Sequence, residues 1–491
     1  MERDNAEVGG LRPNFRRVRR WGFGMVVALV LVRSVVWFLP ASVGAYTRGE
    51  VDLRGRRIYR PPFGVRPRSL ATLKLERIHR DLLPGWSLTF NDETLGAASR
   101  EKLAALRAET AGDPNLATLV EELAKAGELP RGAARANRFS YLIWAWNEYL
   151  DRAGAAWRLE FVVRLAAGHP RFYVKAYRVL ATVRATLSGT ACRARLVSRA
   201  DRLNVVEGAL GHTGSGSAGA LVVLDRTQEF AENQLWSLLN EANDATLAPL
   251  DATFAPAVRD EAERSLPADA FAVLHETAPD RHALLQIAKV INDRRGCDRR
   301  FLPRNVPPAG LSEDILGLVK EAASEPSELC REVTPAEAEA LAQASARLAK
   351  APQLMPALAA LNTWVARAVT IHELRHAADG GLDGEAPTSP CVDCSSQLST
   401  ATRGELSAYL TGLGTEGTTY VSAYQACGGA QDSSPAGAAV AALTPAVLPH
   451  GCSEPPPPDL AQRARRMEAR LFRRSASVAF AEAFPSLDLA H

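Results

Sequence analysis

PALAALNTWVARAVTIHELRHAADGG, residues 356–381, decides the reading of this chain. Ala and Leu dominate it, Pro356 suits a first helical turn and Gly380 a C-terminal cap, so the stretch predicts a single helix. Apolar residues on most of its sides predict that the helix is buried. On it stand His372, Glu373, Leu374, Arg375 and His376, an H-E-x-x-H pattern. Four-residue spacing puts both imidazoles on one face, one turn apart, with Glu373 on the adjoining flank. Two histidines and a carboxylate are costly to bury on an apolar surface unless something satisfies them. A zinc ion shared by the imidazoles at about 2.1 Å would do so, with the glutamate placed to take a proton from water.

A third ligand must come from elsewhere in the chain. A metzincin would carry Gly three residues after His376 and His six after it; Asp379 and Leu382 stand there, which excludes that subclass. Downstream, TRGELSAYLTGL predicts a second, short helix with Glu405 and Tyr409 one turn apart on the same face. His372, His376 and Glu405 make a His2Glu set that leaves one zinc position open, as catalytic sites require. Asp379 and Asp383 are the alternative third ligands. Tyr409, Tyr420, Tyr424 and His450 are candidates to donate a hydrogen bond to a developing oxyanion, with Tyr409 placed beside Glu405.

At these residues the chain resembles the gluzincin group of zincin metallopeptidases. The resemblance covers about residues 356–412. It implies His372, His376 and Glu405 as zinc ligands and Glu373 as general base, with Tyr409 added as a catalytic candidate. The chain departs from the thermolysin-like pattern in carrying Tyr409, not an acid, four residues after Glu405. Asp379 is the candidate to orient a ligand histidine from behind.

Outward from the motif, the N-terminus sets the compartment. Arg12, Arg16, Arg17, Arg19 and Arg20 form a basic segment over residues 1–20. WGFGMVVALVLVRSVVWFLPASVGA, residues 21–45, is long and apolar enough for a transmembrane anchor or a signal peptide. Arginines flank it on both sides, so the positive-inside bias is weak. Residues 46–95 read as an Arg/Pro-rich linker. Residues 96–240 read as helical plus β: Trp144, Trp146 and Tyr149 form an aromatic group expected in the core, and Val179, Ala181, Val183, Ala185 and Leu187 alternate with polar residues, which predicts a half-buried strand. Gly214, Gly216 and Gly219 spell G-x-G-x-x-G but lead into ALVVLD, a strand, where a dinucleotide site needs a helix N-terminus; HTGSGSAG therefore reads as a hairpin loop.

Residues 241–454 read as a helical, metallopeptidase-like domain, with a capping box at Thr334–Glu337. Cys391, Cys394, Cys427 and Cys452 crowd after the motif and predict two disulfides or a structural zinc knot. Residues 459–491, behind a Pro455–Pro458 run, hold a C-terminal helix that is basic on one face, for docking or membrane-surface contact. The chain has 491 residues and 58 Lys+Arg against 55 Asp+Glu, too balanced for a nucleic-acid footprint.

The expected fold is α+β and predominantly helical, with a zincin-like core, a small antiparallel sheet and the N-terminal anchor or signal helix. The expected function is a membrane-anchored or exported, mostly extracytoplasmic zinc endopeptidase acting on a peptide or protein substrate. A non-enzymatic envelope scaffold and a zinc amidase of non-peptide substrates are the alternatives.

Overall fold

Helices come first among the residues that the computed structural model describes, which are 73–91, 96–129, 132–166, 169–203, 210–213, 219–293, 302, 306–324, 333–380, 391–429, 434–475 and 477–487. The N-terminal basic segment, the apolar stretch at 21–45 and the linker as far as residue 72 lie outside the described residues. After a helical run over residues 75–91 come α1 (Ala97–Thr110), α2 (Pro114–Glu128) and α3 (Ala133–Arg152). Asp113 caps α2 by accepting from the backbone N–H groups of Asn115 and Leu116, with Pro114 at the first helical position. Of the aromatic group expected in the core, Trp146 and Tyr149 are buried while Trp144 is half-buried, and Trp146 Nε1 donates to His79 Nε2 at 3.0 Å.

The sheet consists of β1 (Trp157–Ala166), β2 (His169–Leu187), β3 (Thr190–Arg199), β4 (Gly211–His212) and β5 (Ala220–Val223), in the order β1-β2-β3-β5-β4. The period-two reading of β2 holds, with Val183, Ala185 and Leu187 buried and Thr182, Arg184 and Thr186 exposed. The expectation of an antiparallel sheet is corrected: β3 and β5 pair in parallel. A parallel pair needs a crossover of a dozen or more residues, and residues 200–219 supply one, with β4 inside it. Consecutive strand-like runs cannot reveal this, because pairing order is a long-range property. β4 and β5 are antiparallel, with Gly211 opposite Val222, so the glycine-rich stretch does lead into a strand. β1 and β4 stand at opposite ends of the order, yet His212 Nε2 lies 3.3 Å from Glu160 Oε1, so the sheet curls.

The remaining helices are α4 (Leu224–Phe230), α5 (Pro249–Ser265), α6 (Ala268–Asp293), α7 (Glu313–Ser324), α8 (Pro335–Lys350), α9 (Leu354–Gly380), α10 (Thr400–Gly414), α11 (Thr419–Gly428), α12 (Pro435–Leu443) and α13 (Leu460–Phe472). The capping box forms at the start of α8, Thr334 and Glu337 satisfying each other's backbone N–H. Helix α9 carries the H-E-x-x-H and runs through the main core on Leu358, Leu361, Val365 and Val369. On its other side Leu374 packs with Ala185, Leu187, Cys192, Ala194 and Ala220, which seats the motif directly on the sheet. The boundary expected at residue 240 lies within one compact unit, Pro67–His491. Helix α13 docks through Leu460, Ala464, Met467, Leu471 and Phe472. Beyond it a sixth strand, β6 (Val478–Phe480), pairs with the end of β2.

His79 is fully buried, and its ring accepts from Trp146. Burial pushes its pKa down from 6.5 to about 3. The unfolded chain therefore binds a proton below about 6.5 that the folded chain refuses. Stability from this group is complete above that pH and is lost as pH falls toward 3. The linkage predicts a loss of about 2 kcal/mol between pH 7 and pH 5. Urea titrations at the two pH values should show that loss in the wild type and a smaller one in His79→Gln.

Candidate functional site

Two helices and one strand bring the candidate residues together. Helix α9 supplies His372 and His376, whose Nε2 atoms stand 3.1 Å apart. Helix α10 supplies Glu405; Ser399 caps it by accepting from Thr402 N–H, and Leu406, Leu410 and Leu413 bury its inner face. Glu405 Oε2 lies 3.5 Å from His372 Nε2 and Oε1 lies 3.6 Å from His376 Nε2. These ligand atoms all fall within 4.8 Å of one another, a group that could hold a metal ion. The three side chains are 14%, 15% and 29% exposed, so the group is reachable from solvent.

The electrostatics follow from this proximity. Burial pushes the Glu405 carboxyl up, but hydrogen bonds to His372 and His376 outweigh it and hold the group well below the usual carboxylate range. Burial lowers His376, while the Glu405 bond and the charges of Glu373, Glu405 and Asp379 leave it raised overall.

Glu373 is buried and is held from the sheet side. Thr213 Oγ1 lies 3.0 Å from Glu373 Oε2, to which it can donate, and 3.1 Å from the Glu373 carbonyl oxygen. Gly211 lies against the same side chain: a Cβ added there would sit 2.6 Å from Glu373 Cγ and 2.9 Å from the Leu221 carbonyl oxygen. The sequence pattern did not single out either residue: Thr213 fell inside the HTGSGSAG hairpin loop, residues 212–219, and Gly211 had no role. The available signal was a glycine one position before His-Thr at the end of a strand-like region.

The Tyr409 ring packs against His372 at a tilt of 57°, with centroids 4.9 Å apart. Burial, then the Glu405 and Glu373 carboxylates, push its pKa up, so its hydroxyl stays protonated and able to donate. The other oxyanion candidates are engaged elsewhere. Tyr420 Oη donates to the Pro457 and Pro458 carbonyls, Tyr424 Oη donates to Asp251 at 2.7 Å, and His450 stands exposed, 3.5 Å from Glu454.

Asp379 faces cations. Arg474 Nη1 donates to its Oδ1 at 2.5 Å and Nη2 to its Oδ2 at 3.2 Å; Ser407 Oγ also donates to Oδ2. Arg375 Nη1 lies 3.6 Å from Oδ1. Asp383 lies outside the described residues. The cysteines form two pairs at disulfide distance, Cys391 with Cys394 (Cα–Cα 5.5 Å) and Cys427 with Cys452 (Cα–Cα 5.6 Å). No known protein family, curated protein or solved structure matches this chain.

Gly211→Ala is predicted to force its methyl group into Glu373 and the Leu221 carbonyl. The expected cost is about 1–3 kcal/mol, typical of overpacking. Chemical denaturation of the variant beside the wild type measures it; an unchanged midpoint would show that the strand and helix separate freely.

Proposed function

We propose that this chain is a zinc-dependent endopeptidase, membrane-anchored or exported, in which His372, His376 and Glu405 hold the ion. One observation carries the reading: the two imidazole Nε2 atoms stand 3.1 Å apart, Glu405 turns one carboxylate oxygen to each at 3.5 and 3.6 Å, and one ligand atom from each of the three residues falls within 4.8 Å of the others. Two imidazole nitrogens and one carboxylate oxygen form a donor set that suits zinc. When bound, zinc supplies Lewis acidity that polarises a carbonyl and eases the deprotonation of water.

The protein side chains do the rest. Glu373, next to His372 on the same helix, accepts the proton of the attacking water and returns it to the leaving amine. Thr213 keeps that carboxylate from rotating away. Tyr409, protonated and packed against His372, donates to the oxygen that gains charge in the transition state. β4 is last in the strand order and lies beside Glu373. Such an edge suits an extended peptide, which can add to it by main-chain hydrogen bonds, and this favours a peptide over a small amide as substrate. Two cysteine pairs at disulfide distance support an oxidising, extracytoplasmic setting.

The test is metal analysis of the purified chain, combined with cleavage of a peptide library. About one zinc per chain is expected in the wild type and in Glu373→Gln, with hydrolysis lower by about 10²–10⁴-fold in the variant. Glu405→Ala should lose the zinc. Absence of stoichiometric zinc, or equal hydrolysis by Glu373→Gln, would overturn the mechanism. Zinc without peptide cleavage would favour the scaffold reading, and cleavage of non-peptide amides alone the amidase reading.

A further inference from the structure

The candidate ligands come from two separate helices, so something must set the distance between α9 and α10 at their level. Asp379 lies one turn beyond His376 on α9, and Ser407 lies two residues beyond Glu405 on α10. Ser407 Oγ donates to Asp379 Oδ2, which joins the two helices close to the ligands. Arg474 bridges both. Its two terminal nitrogens grip the Asp379 carboxylate as a fork, and Nη2 also donates to Ser407 Oγ.

Arg474 belongs to neither helix. It follows α13, and three features direct it inward. Arg473 takes a left-handed backbone conformation, φ 50°, that turns the chain at the helix end. The Arg474 guanidinium stacks over the Phe472 ring at 4.7 Å. Its Nε donates at 3.1 Å to Glu468, a fully buried residue of α13. Glu468 in turn accepts from Thr411 of α10 at 3.2 Å and lies 3.6 Å from Arg375 of α9. Two arginines and two carboxylates thus balance in charge where α9, α10 and α13 meet.

We infer that Arg474 is a positioning residue for the metal centre, a clamp that sets the spacing of the histidine helix against Glu405 through Asp379 and Ser407. The C-terminal helix is then a working part of the site. This rests on the zinc reading above and goes beyond it by assigning Arg474, Ser407 and the role of Asp379. A guanidinium suits the task because its planar fork fixes both distance and angle, whereas an ammonium supplies charge and rotatable donors without that fixed geometry.

The experiment is zinc affinity of the full chain by competition with a chelator, with the thermal midpoint read in parallel. Arg474→Ala should weaken zinc about 10–100-fold, the range for residues that orient metal ligands. Arg474→Lys should recover part of the loss, and Ser407→Ala should weaken zinc less than Arg474→Ala does. The control is Arg259→Ala, which breaks a buried arginine's bonds to Leu238 and Asp244 elsewhere in the fold. It should lower the thermal midpoint and leave zinc affinity unchanged. If Arg474→Ala does not fold, the lysine and Ser407 variants carry the test. Affinity within twofold of wild type in the folded variants would overturn the clamp while leaving the zinc site standing. A wild type that binds no zinc would remove both.

Discussion

A buried helix that carries polar groups needs a partner for each of them, and this constraint organises the protein. Helix α9 takes His372, Glu373, Arg375 and His376 into its packed part, where each group gives up water. An unsatisfied charge there would cost several kcal/mol. Every one of these groups meets another element. Glu405 reaches both imidazoles, and Thr213 reaches Glu373. Arg375 donates to Thr411 and Ser188 and lies near Asp379 and Glu468.

Satisfying those groups draws distant parts of the chain together. The edge strand β4 must lie close enough for Thr213 to bond Glu373, which leaves no room for a side chain at Gly211. The turn between β2 and β3 brings Ser188 to Arg375, and α13 brings Glu468 and Arg474. The polar side of the motif helix thereby specifies its neighbours more closely than its apolar side does. Leu374 tells the helix to lie on the sheet; the charged groups settle where on the sheet and in which rotation. The ligand group itself keeps partial access to solvent.

Local pattern carried much of this. The motif helix, the Glu405 helix, the capped start of α8 and the alternating strand β2 were all legible, because helix and strand periods and caps are properties of neighbouring residues. The expected residues His372, His376 and Glu405 meet in space, since two share a face by spacing and the third follows on the next described helix. The parallel pairing of β3 with β5 and the sixth strand were not legible, because both join residues far apart in the chain. Gly211, Thr213 and Arg474 escaped for the same reason. Each is unremarkable among its sequence neighbours and acquires a role only from what lies across the fold.

The sequence by itself determined that one apolar helix carries two imidazoles and a carboxylate at ligand spacing, with a glutamate on the helix that follows. Hydrophobic periodicity and i,i+4 geometry are sufficient for that. Only the tertiary structure decided what surrounds the group: a strand edge beside Glu373, Tyr409 against His372, and Asp379 turned toward the arginines of α9 and the C-terminal segment. Those choices arise from desolvation. Which partner satisfies a buried charge depends on which elements pack around it, and no local pattern encodes that.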